Sequence, residues 1–103
     1  MRFLITASWT VEAGNALAKS GKLAATVQSI LEDLKPEAAY FTAIGGKRTA
    51  VLVMDLDEPS QMPAVAEPFF LALDAQVEFQ PAMVAEDLGK AGPAIEQAVA
   101  KYG

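Results

Sequence analysis

Residues 37–56 read EAAYFTAIGGKRTAVLVMDL. Two runs rich in aromatic and β-branched residues flank Gly45-Gly46-Lys47-Arg48. Adjacent glycines accept the positive φ angles that a tight hairpin demands. The stretch therefore predicts two antiparallel strands, 37–44 and 49–56. A two-residue turn at Gly45-Gly46 or at Gly46-Lys47 pairs an odd position with an even one. Residues opposite each other across a hairpin share a face of the sheet. Phe41 and Ala43 then lie with Ala50, Leu52 and Met54, and Tyr40 and Thr42 lie with Val51, Val53 and Asp55.

Working outward, 2–9 (RFLITASW) reads as a strand, and 75–80 (AQVEFQ) reads as another, with Pro81 placing its end at an edge or a bulge. Between the first strand and the hairpin, Leu17, Ala24, Val27, Ile30, Leu31 and Leu34 fall at helical spacing. Glu12-Ala13-Gly14-Asn15 reads as the turn before that helix, with Asn15 its N-cap. Ser20-Gly21 weakens its first turns, and Lys35-Pro36 stops it. Beyond the hairpin, Ser60 is the expected N-cap of a second helix. Its stripe is Met62, Val65, Ala66, Phe69 and Leu73, and Pro68 is expected to kink or break it. Residues 83–89 are ambiguous. Gly92-Pro93 opens a last helix with Ile95, Val99 and Tyr102 on one side. The whole is a single α+β domain over 1–103. Its order is β-α-β-β-α-β, a four-stranded antiparallel sheet of ferredoxin-like plan, and 82–103 form a C-terminal extension with an extra helix.

Composition narrows the chemistry. The 103 residues are 52% hydrophobic and 20% charged, enough for one core. No apolar run is long enough for a transmembrane helix, and polar residues arrive too early for a signal peptide, so a cytoplasmic bacterial protein is expected. With neither cysteine nor histidine, thiolate nucleophiles, Cys- or His-ligated metals and a Ser–His–Asp triad are excluded. A net charge of −5 argues against a nucleic-acid partner. Neither a metal nor a cofactor is expected.

Parity sends Phe3, Ile5, Ala7, Val77 and Phe79 under the helices and leaves Leu4, Thr6, Ser8, Tyr40, Thr42, Val51, Val53, Glu78 and Gln80 on the other face. That second face is too apolar for open water and too polar for a dry core. Stacking two copies face to face would cover it and enclose a pocket of mixed character. At this point the element order, the Gly-Gly hairpin, the two-sided sheet and the opening FLITASWT with its Gly-Asn helix start resemble the dimeric α/β-barrel superfamily over roughly 2–83, and in particular its short uncharacterised bacterial members. The resemblance implies a homodimer. The superfamily includes cofactor-independent monooxygenases, muconolactone isomerase-like enzymes, and haem-degrading and His-Asp dyad proteins. The last two rely on histidine and are not carried over.

Six residues are candidates for a ligand site. Ser8, Tyr40, Thr42 and Glu78 share the second face, where a carboxylate beside a phenol could polarise a small apolar or aromatic ligand. The competing reading of Glu78 is an interfacial hydrogen-bond network or an ion pair with Arg2 or Arg48, and it is the favoured one. Trp9 either stacks on a flat ligand at a pocket mouth or, more commonly for tryptophan, anchors a core or interface. Glu67, beside Pro68, either turns into a cleft or, in line with the rarity of buried glutamate, faces water on a bent helix. Asp55, Asp57 and Glu58 read as a solvated strand end rather than an oxygen-ligand site. No catalytic constellation is evident. The expectation is a small-molecule-binding protein or cofactor-independent enzyme with a pocket between sheet and helices. The alternative is a non-catalytic structural or regulatory dimerisation module.

Overall fold

The computed structural model describes residues 1–103. Strand β1 (Arg2–Trp9) leads into helices α1 (Val11–Lys19) and α2 (Leu23–Leu34). Strands β2 (Ala38–Ile44) and β3 (Lys47–Asp55) follow, then helix α3 (Met62–Leu73), strand β4 (Ala75–Pro81) and helices α4 (Ala85–Lys90) and α5 (Gly92–Tyr102). The four strands form one open antiparallel sheet in the order β2-β3-β1-β4. This α+β arrangement is compatible with a ferredoxin-like plan.

The β2–β3 turn is Gly45-Gly46, with φ of +60° and +75°, and Ile44 pairs with Lys47. Every strand residue falls on the face that parity assigns. Ile5, Ala7, Trp9, Ala50, Leu52 and Met54 point to the helical side and are buried with Ile30, Val65, Phe69 and Leu73. Phe3 and Phe79 meet edge to face beside this core, with ring centroids 6.2 Å apart.

The helices depart from the sequence expectations at their ends. Asn15 is not an N-cap. Helix α1 starts at Val11, and the Thr10 hydroxyl accepts from the Ala13 N–H at 3.1 Å. Gly14 is therefore a helix-interior residue, and its place has a tertiary cause. A Cβ there would come within 2.5 Å of Arg48 Nη1 and 3.1 Å of Trp9 Cδ1. Arg48 crosses this gap to donate to Asn15 Oδ1 at 3.1 Å. The single helix expected over 17–34 is two. Gly21, at φ +74°, separates α1 from α2. Ser60 does not cap α3. Pro59–Gln61 form a 3₁₀ turn in which Gln61 Oε1 accepts from the N–H groups of Asp57 and Glu58.

Helix α3 runs without a break through Pro68. Val65, Ala66, Phe69 and Leu73 on both sides of the proline are buried, so the apolar stripe holds the segment to the sheet. Ala64, whose carbonyl loses its helical donor, is an exposed residue.

The tail leaves from the β4 edge. None of the residues of α4 and α5 is buried, and Leu88, Ile95, Val99 and Tyr102 are exposed. The chain measures 59 × 28 × 20 Å with a radius of gyration of 17.3 Å, against about 13 Å for a compact domain of this length. The tail is thus an arm, not a lid on its own body. No helix is long and apolar enough to cross a membrane.

Because α3 already runs through residue 68, Pro68→Ala restores one N–H donor within an existing helix. A helix-interior proline costs about 3 kcal/mol, reduced here by the exposure of Ala64 and by up to about 1 kcal/mol of unfolded-state restriction. The variant should gain about 1 kcal/mol and melt several degrees higher. A lower melting temperature by calorimetry would show instead that the proline shapes the packing of α3.

Candidate functional site

The sheet face away from the helices carries three cross-strand rows. Pairing places Tyr40, Val51, Thr6 and Glu78 in one line from β2 to β4. Thr42, Thr49, Ser8 and Gln76 form the next row, and Ala38, Val53, Leu4 and Gln80 the row on the other side. Leu4, Val51 and Val53 are half-buried by their neighbours alone, while Tyr40 is 65% exposed. The face is an alternation of aliphatic and hydroxyl groups with one carboxylate, uncovered by any element of the chain.

Part of this face is concave. Thr6, Ser8, Lys47, Gln76 and Glu78, with Ile44 and Gly45 at the rim, line a hollow of about 240 Å³. Its floor has a defined hydrogen-bond direction. Thr49 is 1% exposed, and its hydroxyl donates to the Lys47 carbonyl at 3.0 Å. That uses the only proton Thr49 has, so the 2.8 Å contact between Ser8 Oγ and Thr49 Oγ1 must be a donation from Ser8. Ser8 therefore offers its lone pairs, and not its proton, to anything in the hollow. Lys47 supplies a cation and Glu78 an anion on the walls, and the two form no ion pair with each other.

Beyond the third row the face ends in charge. Arg2 pairs with Asp55 in register and forms a two-bond contact with Glu37, Nε to Oε2 at 3.3 Å and Nη2 to Oε1 at 3.2 Å. Hydrogen bonding to Glu37, and then its charge, raises the Arg2 pKa. The Met1 ammonium lies 2.8 Å from Asp55 Oδ1, and this hydrogen bond, followed by the ammonium's charge, holds the Asp55 carboxyl below its ordinary value. Both groups are exposed, so this edge is a solvated ionic border to the face.

The six sequence candidates do not form one constellation. Ser8 and Glu78 meet in the hollow, and Tyr40 and Thr42 continue the same rows toward β2. Trp9 has the opposite parity. It is 3% exposed under the helices, where its Nε1 has no hydrogen-bond partner, and it borders an apolar groove of about 420 Å³ between α2 and β2, with Leu23, Val27, Leu31 and Phe41. Glu67 is exposed on α3 and does not turn into a cleft. Its neighbour Pro68 lines a shallow groove between α2 and α3 with Ile30 and Leu71. Sequence reasoning missed Lys47 and Gln76. Gln76 carries the same parity signal as Glu78. Lys47 was missed because the second strand is expected to begin at 49, whereas β3 begins at Lys47, which shares the parity of Thr49 and Val51.

Thr49→Val keeps the shape of the buried side chain and removes the acceptor for Ser8 and the donor for the Lys47 carbonyl. Urea denaturation should show a loss of about 1–2 kcal/mol. An unchanged midpoint would mean that the hydroxyl network does not hold the floor of the hollow. No family model matches the chain and no curated protein matches it, so the site is read from its own geometry.

Proposed function

We propose that the protein is a homodimer of the dimeric α/β-barrel kind and binds a small molecule between its two stacked sheet faces. The observation that carries this reading is the row Tyr40–Val51–Thr6–Glu78, an uncovered line of aliphatic, hydroxyl, phenol and carboxylate groups. Two four-stranded sheets can stack face to face about a two-fold axis in their mid-plane in two ways. An axis across the strands sets β4 over the partner's β4 and brings the Glu78 carboxylates together, a repulsive contact. An axis along the strands reverses the row on itself. Glu78 then faces the partner's Tyr40, a phenol that donates to it, and Val51 faces the partner's Thr6. The second arrangement satisfies the charges and is the one proposed.

The ligand that fits this lining is flat or compact, with an apolar body. It donates a proton to Ser8 or Glu78 and accepts from Lys47, Gln76 or Tyr40. Glu78 is the group able to take a proton from it, so any turnover would be cofactor-independent acid–base chemistry. A second reading has one observation in its favour. The Ser8–Thr49–Lys47 chain is already satisfied within the protomer, as suits a dimerisation module with no ligand.

Sedimentation equilibrium at micromolar concentration should give a dimer, and Val51→Lys, which places a charge in the centre of the stacked faces, should give a folded monomer. A wild-type monomer overturns the assembly. Native mass spectrometry of the dimer purified from its own host should then show a retained mass that Glu78→Ala loses. A dimer with no retained or exchangeable ligand supports the module reading.

A further inference from the structure

We infer that the α4–α5 arm of one protomer lies in the apolar groove between α2 and β2 of its partner. This rests on the stacked dimer proposed above and assigns a use to two features that the dimer alone leaves unexplained.

The first feature is the arm. Leu88, Ile95, Val99 and Tyr102 run along it, each more than half exposed, and Val99 is 62% exposed. The second is the groove. Leu23, Val27, Leu31 and Phe41, with the edge of Trp9, form an open apolar trough of about 420 Å³. The two lie at opposite edges of one protomer, because the arm follows β4 and the groove flanks β2 in the order β2-β3-β1-β4. Three strand spacings, about 14 Å, separate those edges, and the groove faces the helical side. The linker from Pro81 to α4 is only Ala82–Val84, which spans about 10 Å.

In the dimer with its axis along the strands, each β4 sits over the partner's β2. Stacked sheets lie about 10 Å apart, which the linker spans, so the arm emerges at the partner's β2 edge and its helices pass round that edge to the groove. Its apolar row enters the trough from the unpaired β2 edge, where Phe41 and Ile44 are half exposed. Area points the same way. A face of four strands and seven residues has a flat footprint of about 450 Å², on the small side for an interface to which each partner contributes roughly 800 Å² of accessible surface. Two reciprocal arms enlarge it and cover the edge strand against unwanted pairing.

The absence of native cysteine makes the test clean. Gln28→Cys marks the groove rim and Val99→Cys the arm. The two single variants are co-expressed and treated with a short bismaleimide. The expected result is a covalent dimer in severalfold greater yield than either variant gives alone. Ala98→Cys replaces Val99→Cys if that variant fails to fold. Three results would overturn the inference. A dimer by sedimentation without the Gln28–Val99 cross-link removes the arm from the groove while leaving the dimer standing. An intramolecular linkage in a Gln28→Cys/Val99→Cys double variant, treated in parallel, returns the arm to its own body. A monomer removes both the arm contact and the stacked dimer on which it rests.

Discussion

The structure depends on the two-residue turn at Gly45-Gly46. Its pair of positive φ angles closes β2 onto β3 with Ile44 opposite Lys47. That one pairing fixes the parity of β3, β3 fixes β1 through Thr6 and Val51, and β1 fixes β4 through Thr6 and Glu78. A slip of one residue at the turn would carry Ala50, Leu52 and Met54 out of the core and bring Val51, Val53 and Asp55 under the helices. Burying Asp55 without its ammonium partner is costly enough to reject that register. The turn, the core and the composition of the open face are therefore one constraint seen from three positions.

Strand parity was readable because it is a local arithmetic of period two, anchored by a turn that leaves no choice of sign. The helix ends were not, and the reasons are tertiary. Gly14 looks like a turn residue by propensity, yet it stands inside α1, where a Cβ would displace the Arg48 guanidinium and press on Trp9 at 3.1 Å. Asn15 looks like a cap and instead receives Arg48 from the hairpin. Pro68 looks like a break, but the stripe from Val65 to Leu73 gains more by continuing along the sheet than one missing hydrogen bond costs. In each case a residue with a strong local preference is held by a contact distant in sequence.

The candidate site divided along the same line. Ser8, Tyr40, Thr42 and Glu78 could be placed on one face from parity alone, and that placement stands. Trp9 and Glu67 rest on a strand end and a neighbouring proline rather than on parity, and for each the structure shows the favoured reading, a core anchor and a solvent-facing carboxylate. One lies behind the sheet and the other in solvent. Lys47 was hidden because the two-residue turn could stand at Gly45-Gly46 or Gly46-Lys47, and only the first makes Lys47 a strand residue on the open face.

The hollow also has a polarity that the residue types do not show. A serine and a threonine side by side are interchangeable as donors until the carbonyl of Lys47 takes the threonine's proton. From that contact the direction propagates: Thr49 must accept, Ser8 must donate inward, and the outer surface of Ser8 is left with acceptor character only. Glu78 accepts as well when ionised. Two acceptors on one wall repel a carbonyl or a carboxylate and favour an N–H or O–H edge, while Lys47 across the hollow favours the opposite end of the same molecule. In the proposed dimer, the order of donors and acceptors would therefore discriminate between ligands before their apolar bodies make contact. This order is set by a hairpin whose register the two glycines dictate.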